Sequence, residues 1–186
     1  MPRVPKAELP TGLSDTMVEQ FGALPEPVEV TWNHPSVAQA ALEFGARAGE
    51  WDAVDENLKS FAHMAVASRV GCSWCLDIGY FQAENQKLDL TKASQVPQWR
   101  ESDVFTPLER DVLEYAEGVT NTPTNVTDDL SARLLEQLGA AGLVELTVHI
   151  AFSNLATRSN TALGIRSQGF SAECEIPLAS PSPTVA

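Results

Sequence analysis

A chain of 186 residues with 44% hydrophobic content is long enough to bury one sizeable core and short for two, so a single domain over 1–186 is expected. Its formal charge of -13, from 12 basic and 25 acidic residues, repels phosphate backbones and anionic head groups and argues against nucleic acid and membrane surfaces as partners. No stretch reads as a run of about 18 to 20 apolar residues, and Met1-Pro-Arg-Val-Pro5 lacks the apolar centre of a signal peptide, so a cytoplasmic protein is expected.

The first ten residues hold three prolines and Ala179 to Ala186 is rich in proline and serine, which predicts flexible arms around an ordered core of about 12–170. A short helix is expected over Leu13 to Phe21, followed by a connection carrying Pro25 and Pro27. Pro35 suits the first turn of a helix running to Arg47, with Val37, Ala40, Ala41 and Phe44 repeating on one face and Gly49 as the stop. From Val54 to Val70, Leu58, Phe61, Ala62, Ala65 and Val66 keep helical spacing, and Gly71 interrupts the helix just before Cys72.

The next helix spans Ser73 to Asn85, and Gln95 to Val104 reads as a connection. Thr106-Pro107-Leu108-Glu109 supplies an N-cap, a proline at the first helical position and a capping-box glutamate for a helix to about Gly118. Thr127 caps another, which Leu130, Leu134, Leu135 and Leu138 point into the core until Gly139 closes it. Leu143 to Leu163, mostly apolar and ended by Gly164, is expected as the central helix. Strand-like alternation is scarce, so the fold class is all-α, a bundle of about seven helices.

Three cysteines make an odd count, unlike a secreted disulfide framework, and Cys72 and Cys75 form a Cys-x-x-Cys pair. A thiol at the first turn of a helix meets unpaired N–H groups and the positive end of the macrodipole, which favours its thiolate. Cys75 lies one turn on, on the same face, close enough to bond to Cys72, so the pair can cycle between dithiol and disulfide. Two other uses of the spacing stand beside this one. A four-ligand zinc site needs two more ligands, and Cys174, His34, His63 and His149 show no paired spacing, so no metal and no cofactor is expected. Two small residues packed in a helical core is the other.

The segment Ser68 to Gly79, Ser-Arg-Val-Gly-Cys-Ser-Trp-Cys-Leu-Asp-Ile-Gly, resembles the core motif of the alkylhydroperoxidase D-like and carboxymuconolactone decarboxylase family. The likeness continues through Trp99 to Thr120 and through Glu145 to Gly164, covering roughly Asn33 to Gly164 in one order. It implies an all-helical subunit in a homo-oligomer, a dimer, trimer or hexamer, and a thiol-dependent peroxidase with a hydroperoxide substrate and a thiol reductant. Cys75 would be the peroxidatic thiol and Cys72 the partner that closes the disulfide and exchanges with the reductant. Other members are lactone decarboxylases, so the alternative is a non-redox enzyme or binder of a small organic acid or lactone.

The peroxidase members carry a relay glutamate and histidine where this chain has Ser60 and Gly79, and Trp74 replaces a histidine often found between the cysteines. Substitute bases are then needed, because a buried thiol keeps a raised pKa. The candidate proton relay is His63, one turn from Ser60, with Asp77 beside the pair, Glu56 behind Ser60, and His149 in the closing helix. Each also has a plain structural reading, as a first-turn acid, a solvated helix residue or a hydrogen-bonded core histidine. Arg158, on a face with Asn154 and near Asn160, would be buried and need a partner such as Glu145 or Glu117. Trp74, Tyr80 and Phe81 are candidate pocket walls, and Cys174 is expected to be no more than an oxidisable tail residue.

Overall fold

The computed structural model describes residues 1–180; residues 181–186, the last part of the expected C-terminal arm, lie outside the described residues. Among the described residues the chain is all-α, with helices α1 (Thr11–Phe21), α2 (Glu26–Thr31), α3 (Pro35–Ala48), α4 (Glu56–Val70), α5 (Ser73–Asn85), α6 (Leu90–Gln95), α7 (Pro107–Thr120) and α8 (Asp128–Ala162). A 3-10 turn, Val96–Gln98, follows α6. Two short helices were not expected: α2 starts inside the Pro25–Pro27 connection, and α6 with its turn fills the ground before Trp99. Proline explains the first, since Pro27 sits in the opening turn of α2, where its missing N–H costs nothing.

Local chemistry sets most of the boundaries. Asp55 caps α4 by accepting from the Asn57 N–H at 2.9 Å, and Gly71 ends it at φ 79°, a left-handed conformation that costs glycine little. Thr106 and Glu109 form the full capping box of α7, and Thr127 Oγ1 accepts from the Leu130 N–H to start α8. At Gly139, φ 69° and ψ 174° break α8 into two arms, so the expected stop is there although the chain resumes helix at once.

The core is organised around α4. From Leu58 to Ala67 only Ser60 and His63 escape full burial, because α5, α7 and α8 all pack on this helix. The central helix is therefore α4, not the long apolar run of α8. In α8 only one stripe, including Leu146, Ile150, Ser153, Thr157 and Asn160, faces inward, while Val144, Val148 and Leu155 stay exposed. By length and composition α8 does contain a stretch apolar enough to cross a membrane, contrary to expectation; its inner stripe is used in packing.

Two apolar faces also differ from expectation. In α3 the buried residues are Ala38 and Ala48, whereas Val37 and Phe44 are exposed, and in α8 Leu135 points outward. Both were placed by periodicity, which reports an apolar stripe but not whether this subunit itself covers it.

Both end segments touch the helical body. Arg3 donates from its backbone to the Leu163 carbonyl at 2.8 Å, and the Ala179 N–H donates to the Ser94 carbonyl at 2.8 Å. Between them, residues 167–171 wrap one carboxylate. Asp77, buried in α5, accepts from the hydroxyls of Ser167 and Ser171 and from the N–H groups of Gln168, Gly169, Phe170 and Ser171. Burial alone would raise its pKa, but the Ser171, Ser167 and Phe170 hydrogen bonds outweigh it and hold the carboxyl below its usual value.

A carboxyl depressed in the folded state contributes stability that is complete above its ordinary pKa of about 4 and disappears as pH falls through the folded value. Asp77→Asn, which keeps the shape but presents N–H to donors, is expected to cost roughly 2–3 kcal/mol at neutral pH. Thermal melts should then show a Tm lower by about 5–10 °C, and the penalty should shrink as pH drops below about 4. An unchanged Tm would mean that the wrapped carboxylate does not hold the segment.

Candidate active site

The two thiols are placed by a helix junction. Gly71 turns the chain out of α4, Cys72 becomes the N-cap of α5, and its Sγ accepts from the Cys75 N–H at 3.3 Å. The Cys72 sulfur thereby satisfies one of the orphan donors of the helix start. The two cysteines are joined in a disulfide with their Cα atoms 5.3 Å apart, and each is 1% exposed.

Around Cys75 the neighbours come from two other helices. From α8, the Asn160 side-chain Nδ2 donates to Cys75 Sγ at 3.4 Å. From α4, His63 Nε2 lies 3.3 Å from the Cys75 carbonyl, and its Nδ1 lies 3.2 Å from Ser153 Oγ. A carbonyl only accepts, so the neutral imidazole carries its hydrogen on Nε2 and receives the Ser153 hydroxyl at Nδ1. Burial, reinforced by the nearby His149, lowers the His63 pKa to about 4, so the ring is neutral at pH 7.

Gly79 explains how His63 fits. A Cβ at this position would lie 3.1 Å from His63 Cδ2 and 3.2 Å from Met64 Cγ. The imidazole of α4 thus occupies room that a side chain at 79 on α5 would need.

His63, Ser60 and Gly79 line a cavity of about 310 Å³, with His149, Ser153 and Phe152 on the α8 side. The sulfurs do not reach this cavity, and the His63 and Gly79 wall stands between it and Cys75. His149 Nε2 donates to the Lys59 carbonyl at 3.1 Å, and burial pushes its pKa down as well.

Lys59, buried at 3% exposure, also borders the cavity. Its ammonium is held by the Trp51 carbonyl at 2.6 Å, Glu56 at 2.5 Å and Glu145 at 3.4 Å. The second oxygen of Glu145 accepts from the Ala53 N–H at 2.8 Å, so this cluster also pins the chain entering α4.

The structure therefore brings together Cys72, Cys75, His63 and, one residue further, His149. It does not bring Asp77 into that group, since both carboxylate oxygens face residues 167–171. Arg158 is exposed rather than buried, bonding Asn154 Oδ1 at 3.1 Å and the Thr120 carbonyl, so it needs no carboxylate. Glu145 belongs to Lys59, and Glu117 pairs with Arg100 at 2.6 Å and accepts from Trp99 Nε1. Cys174 donates to Glu84 at 3.0 Å, and burial with that carboxylate pushes its thiol up to about 12, which keeps it protonated. Trp74 donates to Gln168 at 2.8 Å and stacks edge-on against Phe170, so it faces the C-terminal segment instead of the cavity. Among the described residues no three of His, Cys, Asp and Glu converge as metal ligands would.

Sequence reasoning missed Ser153, Lys59 and the contact of Asn160 with sulfur. A lysine amid the apolar run Leu58 to Ala67 was the one readable signal, because a buried ammonium demands partners.

A helical bundle with a Cys-x-x-Cys pair opening a helix packed on a largely enclosed one is the alkylhydroperoxidase-like fold. The model of the carboxymuconolactone decarboxylase family matches residues 35–118, so that stretch of the chain is similar to the family. The uncharacterized protein YnjA of Escherichia coli is 36% identical over 124 residues, 67% of this chain and 66% of YnjA, so the chain spans slightly under two thirds of that relative. An uncharacterized peroxidase-related protein from Ralstonia eutropha with an alkylhydroperoxidase AhpD core superposes with a TM-score of 0.78 at 19% identity, over 91% of this chain and 94% of its own. A variant of the debrominase Bmp8 in complex with 2,3,4-tribromopyrrole gives 0.76 at 18% identity, over 86% of each chain.

The packing of His63 against Gly79 is open to a double-mutant cycle. Gly79→Ala should destabilise by roughly 1–3 kcal/mol in the native background. In a His63→Ala background the same change should cost at least about 0.5 kcal/mol less, read by denaturant unfolding. Equal costs in both would show that the imidazole does not need the glycine.

Proposed function

We propose that the chain is a thiol-dependent oxidoreductase that reduces small uncharged hydroperoxides through Cys75 and Cys72, with His63 as its base. The observation that supports it is the bonded cysteine pair at the start of α5 with a neutral imidazole hydrogen-bonded against Cys75. His63 takes the place of the family's relay: it comes from α4, fills the room left by Gly79, and lines the cavity.

The cycle balances as follows. The Cys75 thiolate attacks the distal oxygen of the hydroperoxide, forming an S–O bond and breaking O–O, and the leaving alkoxide takes a proton and departs as the alcohol. The Cys72 thiol then attacks the Cys75 sulfenic acid, forming the disulfide and releasing water. An external dithiol restores the pair: its thiolate attacks Cys72, Cys75 leaves as thiolate, and the reductant's second thiol resolves the mixed disulfide. His63 accepts the thiol proton on Nδ1 once the Ser153 hydroxyl turns away from that nitrogen, and returns it to the alkoxide. The imidazole must swing from the wall for peroxide to meet sulfur, since in the disulfide form neither sulfur is exposed.

Charge selects the substrate. At neutral pH the cavity wall carries two neutral imidazoles and one ammonium whose three N–H groups are already taken, two of them by carboxylates. No free cation awaits an anionic ligand, and the local excess is negative. This speaks against the organic-acid alternative. In the debrominase complex the same fold holds a small uncharged aromatic ring. The exposed Val144, Val148 and Leu155 of α8 support assembly into a homo-oligomer.

Peroxide consumption with a dithiol reductant tests this reading. Cys75→Ser should abolish it, and cumene hydroperoxide should be consumed with a kcat/KM roughly tenfold above that of its para-carboxylate, from like-charge repulsion in the cavity. Consumption surviving in Cys75→Ser, or preference for the carboxylate, contradicts the proposal.

A further inference from the structure

We propose that Asn160 is a catalytic residue of this thiol chemistry: its side-chain amide donates to the Cys75 sulfur and stabilises that sulfur as a thiolate. Asn160 is 5% exposed and projects from the inner stripe of α8, with Nδ2 3.4 Å from Cys75 Sγ, a contact across 85 positions of sequence. Its backbone carbonyl accepts from the Ile165 N–H at 3.0 Å, closing the last turn of the helix, so the side chain is delivered by a fixed piece of backbone.

The two sulfurs have unequal support. Cys72, at the N-cap, takes the Cys75 N–H and sits at the positive end of α5. Cys75 lies inside the helix, where burial disfavours a thiolate. An amide N–H toward a disulfide sulfur is a weak contact, but toward a thiolate it becomes a charge-assisted hydrogen bond. The gain appears only when Cys75 carries charge, which is where catalysis requires it.

Cys75 carries charge twice in the proposed cycle: as the thiolate that attacks peroxide, and as the leaving group when the reductant attacks Cys72. The same donor serves both steps, because it offsets the burial of Cys75 each time that sulfur carries charge. Unlike His63, an amide does not titrate, so this support is constant with pH.

The consequence for turnover rests on the redox reading, but the test does not. In the reduced protein, Cβ resonances of carbon-labelled cysteine report each thiol's titration separately. Asn160→Leu fills the site without a donor, and Asn160→Ala empties it. Both are expected to raise the Cys75 pKa by about one unit, a tenfold loss of thiolate population, and to leave Cys72 within a few tenths. With peroxide as substrate, both should slow Cys75 oxidation by up to about tenfold at pH below the native pKa. An unchanged Cys75 value in either folded variant, or shifts of opposite sign in the two, would assign Asn160 to packing and overturn the inference. Raised values without any peroxide consumption by the native protein would keep the inference and remove the peroxidase reading.

Discussion

The enclosure of α4 is the constraint from which the site follows. Packed by three others, the helix has almost no solvent face from Leu58 to Ala67, so polar side chains there must be satisfied inside the protein. Two such residues, Lys59 and His63, sit one helical turn apart. Lys59 is answered by Glu145 of α8 and by the chain entering α4, while His63 is answered by Ser153 of α8 and by the backbone of α5. The helix therefore binds its neighbours with polar contacts at the same level where the cavity opens, and the imidazole is kept neutral by the burial that holds it.

The α5 helix carries two unrelated tasks on opposite sides. Its inner side presents Cys75 and Gly79 to α4 and α8. Its outer side presents Asp77 to residues 167–171, where six donors take up a single carboxylate. That wrapping fixes the outer surface of the cysteine helix while drawing Trp74 toward Phe170. Cys174 and Tyr80 extend the same outer seam through Glu84 and the Ile176 carbonyl, away from the reacting pair. The acid nearest the cysteines in sequence is thus committed to structure, and the imidazole we propose as the base comes from another helix.

The sequence exposed the features that depend on neighbours along the chain. Gly71 before Cys72, the Thr106 to Glu109 capping box and the break at Gly139 are local stereochemistry, and each stands where it was expected. The bonding of Cys72 to Cys75 is local in the same way. Features that depend on which surface meets which were hidden. Periodicity could not tell that Val37, Phe44 and Leu135 face outward, or that the apolar α8 uses one stripe only. The exchange of room between Gly79 and His63, 16 positions apart on different helices, and the approach of Asn160 to Cys75 required the fold. Short helices such as α2 and α6 lack the two or three turns that make a period readable.

The central claim is that Cys72 and Cys75 pass electrons to a hydroperoxide as a pair. A single turnover of the fully reduced protein with one equivalent of cumene hydroperoxide, resolved by peptide mass analysis, tests it most directly. The account predicts one Cys72 to Cys75 disulfide and one cumyl alcohol per peroxide consumed, with Cys174 unmodified. Peroxide left intact, or a Cys75 oxidised past the sulfenic acid without bonding to Cys72, would contradict it.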